Sequence, residues 1–151
     1  MQQWRIEEFQ HNTGRRFPSV RTMATHDAKI VARRLLSRLG YTESIEEPRL
    51  WATLEEALVP VPTTRATEPT FSLGTVFGLA GIAPNADMHI WWQQEHDEVI
   101  DIMKTEDIVR EFRWIWRPGS DDVDLFDASM SWLVRVDHSG VVLALIAKSD
   151  E

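Results

Sequence analysis

The chain lacks cysteine, has no long apolar run and carries little positive charge in its second half. Without cysteine it can form neither a disulfide framework nor a thiolate metal site, and such a composition is typical of a reducing compartment. The longest apolar stretch, residues 71–83, is interrupted by glycine, serine and threonine and falls short of the ~20 residues that span a bilayer. Residues 1–10 contain no apolar segment of the signal-peptide kind. We therefore expect a cytoplasmic protein with no membrane association.

Acidic charge is concentrated in the second half of the chain. Residues 1–75 contain ten Lys or Arg and nine Asp or Glu, whereas residues 76–151 contain six and fifteen, which gives the net charge of −8. Five of the seven tryptophans also lie in the second half. A net negative charge argues against nucleic-acid binding, because phosphate contacts depend on Lys and Arg. A surface of this charge and aromatic content suits a basic protein partner.

Helical periodicity marks the first half. Apolar residues recur at spacings of three and four between Thr25 and Leu39, which predicts an amphipathic helix with Thr25 as its N-cap. Ser44 and Glu47 match a capping box for a second helix, which Pro60 stops. The helical part is thus predicted over about residues 20–59.

A proline-rich connector is predicted over residues 60–70, with too few apolar residues to form a strand. After it, glycines 74, 78 and 81 within an apolar segment permit a short helix to pack closely against a sheet. They match neither the dinucleotide fingerprint nor a phosphate-binding loop.

Short runs with strand character fill about residues 86–148. They are residues 88–92, 99–103, 112–117, 123–126, 132–136 and 141–147, with a helical turn from Thr105 to Glu111 before the third run. The last two runs flank the turn from Asp137 to Gly140 and predict a hairpin. The sequence therefore predicts one α+β domain over residues 1–151, with N-terminal helices packed on a C-terminal, mainly antiparallel sheet of about five strands.

Three histidines and four aspartates are candidate metal ligands. The spacing of His89, His96 and His138 fits no zinc signature, although a site assembled by folding stays an alternative. The aspartates at positions 121, 122, 124 and 127 do not follow the spacing of a calcium loop. No nucleophile is placed beside a base. We predict no catalytic residue, no metal, no cofactor and no enzymatic activity.

Tryptophans and carboxylates supply the candidate binding site. Trp91 and Trp92 are neighbours in one predicted strand and face opposite sides, so one of them is exposed unless both faces are covered. An exposed tryptophan beside acidic residues is typical of an interface hot spot. We expect four other tryptophans to pack in the core: Trp51, Trp114, Trp116 and Trp132. The predicted partner-binding residues are Trp91, Trp92, Glu95, Asp97, Glu98, Asp121, Asp122 and Asp124.

A resemblance extends over residues 121–143, DDVDLFDASMSWLVRVDHSGVVL. This segment resembles the closing hairpin of small bacterial proteins, several of which resemble immunity proteins that neutralise toxins delivered between cells. Arg49, Leu50 and Trp51 form a second, shorter match, and the residues that carry the main likeness are Leu125, Asp127, Ser131, Trp132, Leu133, Asp137, His138 and Gly140. The resemblance implies an α+β fold and transfers no functional residue.

Two functions remain open from the sequence. The first is an acidic immunity protein that inhibits a cationic, nuclease-like toxin. The second is a small enzyme or ligand-binding domain with a pocket between helices and sheet, using His89 or His138.

Overall fold

A computed structural model describes residues 1–41, 54–93, 95 and 98–148 of the chain. Its helices are α1 (Gln3–Thr13), α2 (Thr25–Arg38), α3 (Leu73–Ala80) and α4 (Thr105–Ile115), and residues 54–57 are also helical. Its strands are β1 (Val20–Thr22), β2 (Val59–Pro60), β3 (Asp87–Trp92), β4 (Val99–Lys104), β5 (Val123–Phe126), β6 (Trp132–Val136) and β7 (Val142–Ile146). Within this described part, no helix is both long enough and apolar enough to cross a membrane.

All seven strands belong to one antiparallel sheet in the order β1-β4-β3-β5-β6-β7-β2. The α+β class is therefore confirmed. The prediction of about five strands is wrong, because β1 and β2, with three and two residues, add a short edge strand on each side. The helices are also not confined to the N-terminal half, since α3 and α4 lie between strands.

Apolar residues cover both faces of the sheet. On the first face, α1, α3 and α4 pack against the sheet around Trp92, Leu125 and Val134. On the second face, α2 and the helical residues 54–57 contribute Leu35 and Leu54 to a cluster with Trp91, Phe126 and Leu133 from the sheet. The alternation of side chains along each strand supplies one set of apolar residues to each face. The sheet is thus the middle layer of the molecule.

Helix α2 and the two hairpins confirm the strongest sequence patterns. The predicted helix from Thr25 matches α2, although Ala24 is its N-cap and makes no capping hydrogen bond through its side chain. β3 pairs with β4, and β6 pairs with β7 across the predicted turn. The capping box at Ser44 and Glu47 lies outside the described residues.

The predicted strand over residues 112–117 is wrong. Helix α4 continues to Ile115, and its buried apolar residues Ile108, Phe112 and Ile115 recur at spacings of four and three. The rings of Phe112 and Trp116 stack with centroids 6.2 Å apart, as neighbours four positions apart can do. Trp114 lies on another side of the helix, where its ring meets that of Phe9 edge to face. The alternation of aromatic residues with Arg113 and Arg117 therefore resembles a strand without forming one.

The first residue of the predicted proline-rich connector, Pro60, belongs to a strand instead. Pro60 lies in β2, opposite Leu143 of β7, and the next amide, that of Val61, donates to the Val142 oxygen at 2.9 Å. An edge strand tolerates proline because one side of its backbone has no strand to pair with. The glycine-rich segment forms the expected short helix, α3, which contacts the sheet through Phe77 and Trp132.

Candidate binding site at the turn end of the sheet

One end of the sheet carries an open cleft. This end, called here the turn end, contains the β3–β4 connection, the start of β5 and the β6–β7 turn. The turn-end cleft has a volume of about 560 Å³ and is lined by Glu55, Gln93, Asp122, Arg135, Asp137, His138 and Leu143. Asp124, Arg135 and Leu143 are cross-strand neighbours and therefore point to the same face of the sheet. Leu143 packs against the apolar cluster of the second face, so the cleft opens on that face.

Arg135, which lines the cleft, belongs to a buried charge pair. Arg135 donates from Nε and Nη2 to the two carboxylate oxygens of Asp124, at 2.7 and 2.8 Å. Gln93 adds a hydrogen bond from Nε2 to Asp124 at 2.7 Å. Burial lowers the pKa of Arg135, but the charge and hydrogen bonds of Asp124 outweigh it and raise that pKa. The charges of Asp124 and Arg135 therefore compensate each other beside the cleft.

Carboxylates form the rim of the cleft. Asp122 accepts hydrogen bonds at one oxygen from the His138 backbone amide at 2.8 Å and from its ring Nδ1 at 3.0 Å. Those contacts with Asp122 raise the pKa of His138, which stays largely exposed. Glu55 is 71% exposed and lies 3.8 Å from Arg135.

Asp137 shapes the β6–β7 turn beside the cleft. It accepts hydrogen bonds from the Ser139 amide, the Ser139 hydroxyl and the Val141 amide, at 2.7 to 3.0 Å. Partial burial opposes its ionisation, but these hydrogen bonds outweigh burial and hold the pKa of Asp137 below its ordinary value. Its carboxylate therefore stays charged at the edge of the cleft.

The prediction that Trp91 or Trp92 is exposed is wrong. Trp91 is 3% exposed and Trp92 is 4% exposed, each in the apolar cluster of its own face. The reason is that helices cover both faces of the sheet, which removes the condition under which one indole had to face water. Neither residue can contact a partner in this conformation.

The predicted acidic rim is also only partly formed. Asp121 and Asp124 are buried in pairs with Arg5 and Arg135, which corrects the expectation that they face solvent. Asp122 does line the cleft.

Two further predicted residues, Glu95 and Glu98, lie partly buried in the β3–β4 connection. Glu95 accepts a hydrogen bond from Gln2 at 2.9 Å. Asp97 lies outside the described residues.

Much of the acidic excess is used inside the molecule. Among the described residues of the second half, five acidic side chains are buried with partners in the chain: Asp101, Glu111, Asp121, Asp124 and Asp127. Two of them pair with arginines of the first half, Arg5 and Arg15. The charge asymmetry therefore reflects intramolecular pairing as well as surface charge.

Sequence reasoning missed an exposed tryptophan on α1. Trp4 is 41% exposed, the most of any tryptophan in the described part of the chain. The guanidinium carbons of Arg5 and Arg117 lie 4.4 and 4.6 Å from its ring centroid. Gln2 hydrogen-bonds both Trp4 and Glu95, so this indole lies beside the turn end. Helix α1 has little apolar periodicity. The only sequence signal for this exposed tryptophan is that Trp4 and Arg5 stand close to acidic residues.

The histidines occupy different environments. His89 is buried in β3 and stacks on Phe126, whereas His138 is exposed in the β6–β7 turn. His96 lies outside the described residues. In the segments that the structure describes, no three histidine or acidic side chains are grouped as a metal ion would require.

Comparisons of the chain with protein-family models, curated proteins and solved structures found no match.

Proposed function

We propose that the protein is a binding module that takes a basic protein partner at the turn-end cleft, as an immunity-type inhibitor of a cationic, nuclease-like toxin. The observation that carries the binding proposal is the cleft of about 560 Å³ with Glu55, Asp122 and Asp137 along it. The inhibitor role rests on the resemblance of residues 121–143 to immunity-type proteins.

The charge balance of the cleft supports a cationic occupant. Asp124 compensates the charge of Arg135, which leaves the charges of Glu55, Asp122 and Asp137 along the described part of the cleft. His138, whose pKa is raised by Asp122, offsets one of them when it is protonated. A lysine or arginine side chain of the partner would enter an unbalanced negative field, which favours fast association at low salt.

An aromatic residue is exposed on the other face of the turn end. Trp4 and Arg117 are both exposed, and tryptophan and arginine are enriched among the residues that contribute most to binding. Trp4, in place of Trp91 and Trp92, is the exposed indole of the proposed interface. The proposed interface is centred on the cleft, and Trp4 offers a second contact at the same end of the sheet, beside Glu95.

Charge reversal in the cleft tests this proposal. We expect Asp122→Lys and Glu55→Lys to slow association with an arginine-rich nonapeptide by about tenfold at low salt and to weaken its salt dependence. Asp87→Lys is the matched control, because Asp87 is exposed at the start of β3, away from the turn end. Surface plasmon resonance at several salt concentrations gives the rates. Equal rates for all three variants and the wild type would reject the cleft.

The inhibitor role needs a separate assay. We expect co-expression of the protein to abolish the lethality of a toxin encoded by the neighbouring reading frame, and Asp122→Lys to lose this protection while Asp87→Lys keeps it. Survival without any effect of the cleft variant, or killing despite the wild-type protein, would contradict the role.

A ligand-binding or enzymatic function is the second candidate, favoured by the His138 and Asp122 pair inside an open cleft. A carboxylate that fixes one ring nitrogen orients the other, as in general bases. A thermal-shift panel of metal salts and small molecules tests it, since a bound ligand raises the melting temperature. A rise that His138→Gln abolishes would favour this candidate over protein binding.

A further inference from the structure

Helix α1 is held against the first face largely by charged side chains. Its two fully buried residues are Arg5 and Phe9, one helical turn apart on one side of the helix. Arg5 donates to both carboxylate oxygens of Asp121, at 2.5 and 2.8 Å, and its guanidinium carbon lies 4.5 Å from the Trp92 ring centroid. The desolvation of a buried pair offsets most of its attraction, so this contact fixes the position of α1 more than it stabilises it.

Two further polar contacts of this segment are also buried: the Met1 ammonium pairs with Asp101 at 2.5 Å, and Arg5 donates from Nη1 to the Ile115 oxygen at 2.9 Å. The contacts of Arg15 and Glu8 are closer to solvent. Arg15, just after the helix, donates to both oxygens of Glu111 at 2.8 and 3.1 Å, and Glu8 pairs with Arg117. Both arginines are about half exposed, at 54% and 47%, so salt screens these pairs. The apolar attachment is centred on Phe9, whose ring meets those of Phe17 and Trp114 edge to face.

The face beneath α1 has the composition of a protein-binding surface. It presents the carboxylates of Asp121 and Glu111 beside the indoles of Trp92 and Trp114. In the folded chain, Arg5 and Arg15 of the first half form ion pairs with these two carboxylates of the second half. The contacts of α1 therefore show which chemistry this surface recognises: an arginine over an indole and an aromatic ring one turn further on.

We propose that α1 is a displaceable helix, and that the face it covers binds a helix of a basic protein partner carrying an arginine and an aromatic residue four positions apart. The partner's basic character rests on the proposed function, whereas the release of α1 does not. α1 acts as an intramolecular competitor for this second surface, which is distinct from the turn-end cleft.

Hydrogen exchange of the full chain tests the release of α1. We expect amides of residues 3–13 to exchange at least about tenfold faster than those of β3 and β5, because α1 opens without global unfolding. Raising sodium chloride from about 20 to about 500 mM should accelerate exchange in α1 several-fold and leave the sheet unchanged, because salt screens the exposed pairs. Equal exchange in α1 and the sheet at both concentrations would overturn the proposal.

A peptide in trans tests the exposed face. The probe is a peptide copying residues 1–17 with a fluorescein at its C-terminal end. We expect Arg5→Gln to bind it at least about tenfold more tightly than the wild type, because a loosened α1 competes less. Arg16→Gln removes an exposed charge from the same segment and is the matched control. Equal anisotropy titrations for the two variants would overturn the proposal.

Two measurements keep these outcomes interpretable. If Arg5→Gln gives an unfolded circular dichroism spectrum, Phe9→Leu replaces it, because that variant keeps the Arg5 and Asp121 pair. If light scattering shows a concentration-dependent dimer of either variant, the proposal of a foreign helix is overturned, and the face binds α1 of a second copy instead. Neither experiment uses the toxin or the cleft, so their outcome is independent of the neutralisation assay.

Discussion

His89 is a buried imidazole whose Nδ1 has no hydrogen-bond partner among the described residues. Its ring lies on that of Phe126, with centroids 4.8 Å apart and planes 15° from parallel. Burial lowers the pKa of His89, opposed by the charge of Asp127. The folded protein therefore holds this side chain neutral, whereas the unfolded chain takes up a proton at its ordinary pKa.

This difference predicts a loss of stability in mild acid. Because the unfolded state binds the extra proton, the free energy of unfolding should fall as the pH drops below about 6.5, by at most about 1.4 kcal/mol per pH unit. We expect His89→Phe, which keeps a flat ring on Phe126, to flatten this dependence between about pH 6.5 and 5. Urea denaturation at several pH values measures it, with His26→Gln, at an exposed position of α2, as control. A wild-type slope in His89→Phe would contradict the assignment.

Single residues also show where prediction from sequence ends. The acids at 121, 122 and 124 look alike in sequence, yet one pairs with Arg5, one lines the cleft and one pairs with Arg135. The Arg5 partner is 116 positions away from Asp121. Composition identified the carboxylates as important but could not distinguish internal from external partners, because this depends on which distant arginine the fold brings near.

At the scale of elements, the β6–β7 turn is fixed against the proline-rich connector. Gly140 has φ +87°, and its oxygen accepts a hydrogen bond from the Ala66 amide at 2.8 Å. A Cβ at Gly140 would lie 3.1 Å from the backbone nitrogens of Ala66 and Thr67. Gly119 has φ +83° but open space around it.

These two glycines form a matched pair for mutation. Both alanine variants carry the strain of a positive φ, about 1–2 kcal/mol, but only Gly140→Ala also meets backbone atoms. We expect Gly140→Ala to lower the free energy of unfolding by about 1 kcal/mol or more beyond Gly119→Ala. Urea unfolding curves measure the difference. Equal losses would mean that the connector moves aside at little cost.

Elements with complete patterns were predictable, and those defined by tertiary contacts were not. α2 and the two hairpins have apolar periodicity together with turn residues. α1 lacks a clear apolar stripe because one of its two buried positions is Arg5. β1 and β2 are too short for a periodic pattern and exist because longer strands beside them offer backbone pairing.

At the scale of the whole molecule, one sheet separates two apolar clusters. Leu35 belongs to the cluster of the second face and Val76 to that of the first, and both are fully buried. The shared sheet should make the molecule unfold in one transition, although side chains of the two clusters lie on opposite sides.

This layering predicts additive effects across the sheet. We expect Leu35→Ala and Val76→Ala to destabilise additively within about 0.5 kcal/mol, because they share no neighbours. Phe77→Leu and Trp132→Phe, whose rings are 5.5 Å apart, should instead show a coupling of about 0.5 kcal/mol or more. Double-mutant cycles from denaturation curves measure both terms. Strong coupling across the sheet would show that its strands transmit packing changes.

The α+β class follows from the sequence, but the strand order does not. Neighbours along the chain, such as β3 and β4, pair as their short connection predicts. The pairing of β3 with β5 and of β1 with β4 joins segments separated by a whole helix or more. Covering the second face depends on the same long-range arrangement, which is why the burial of both Trp91 and Trp92 was not predictable.

The shortness of the two edge strands affects how readily another chain can pair with the sheet at high protein concentration. A long, flat strand at a sheet border is a template on which another chain can add and grow into a fibre. Here one border is three residues long and the other is two, one of them Pro60, which has no amide hydrogen to offer. Both edges are therefore poor templates for the edge-to-edge addition of a further strand.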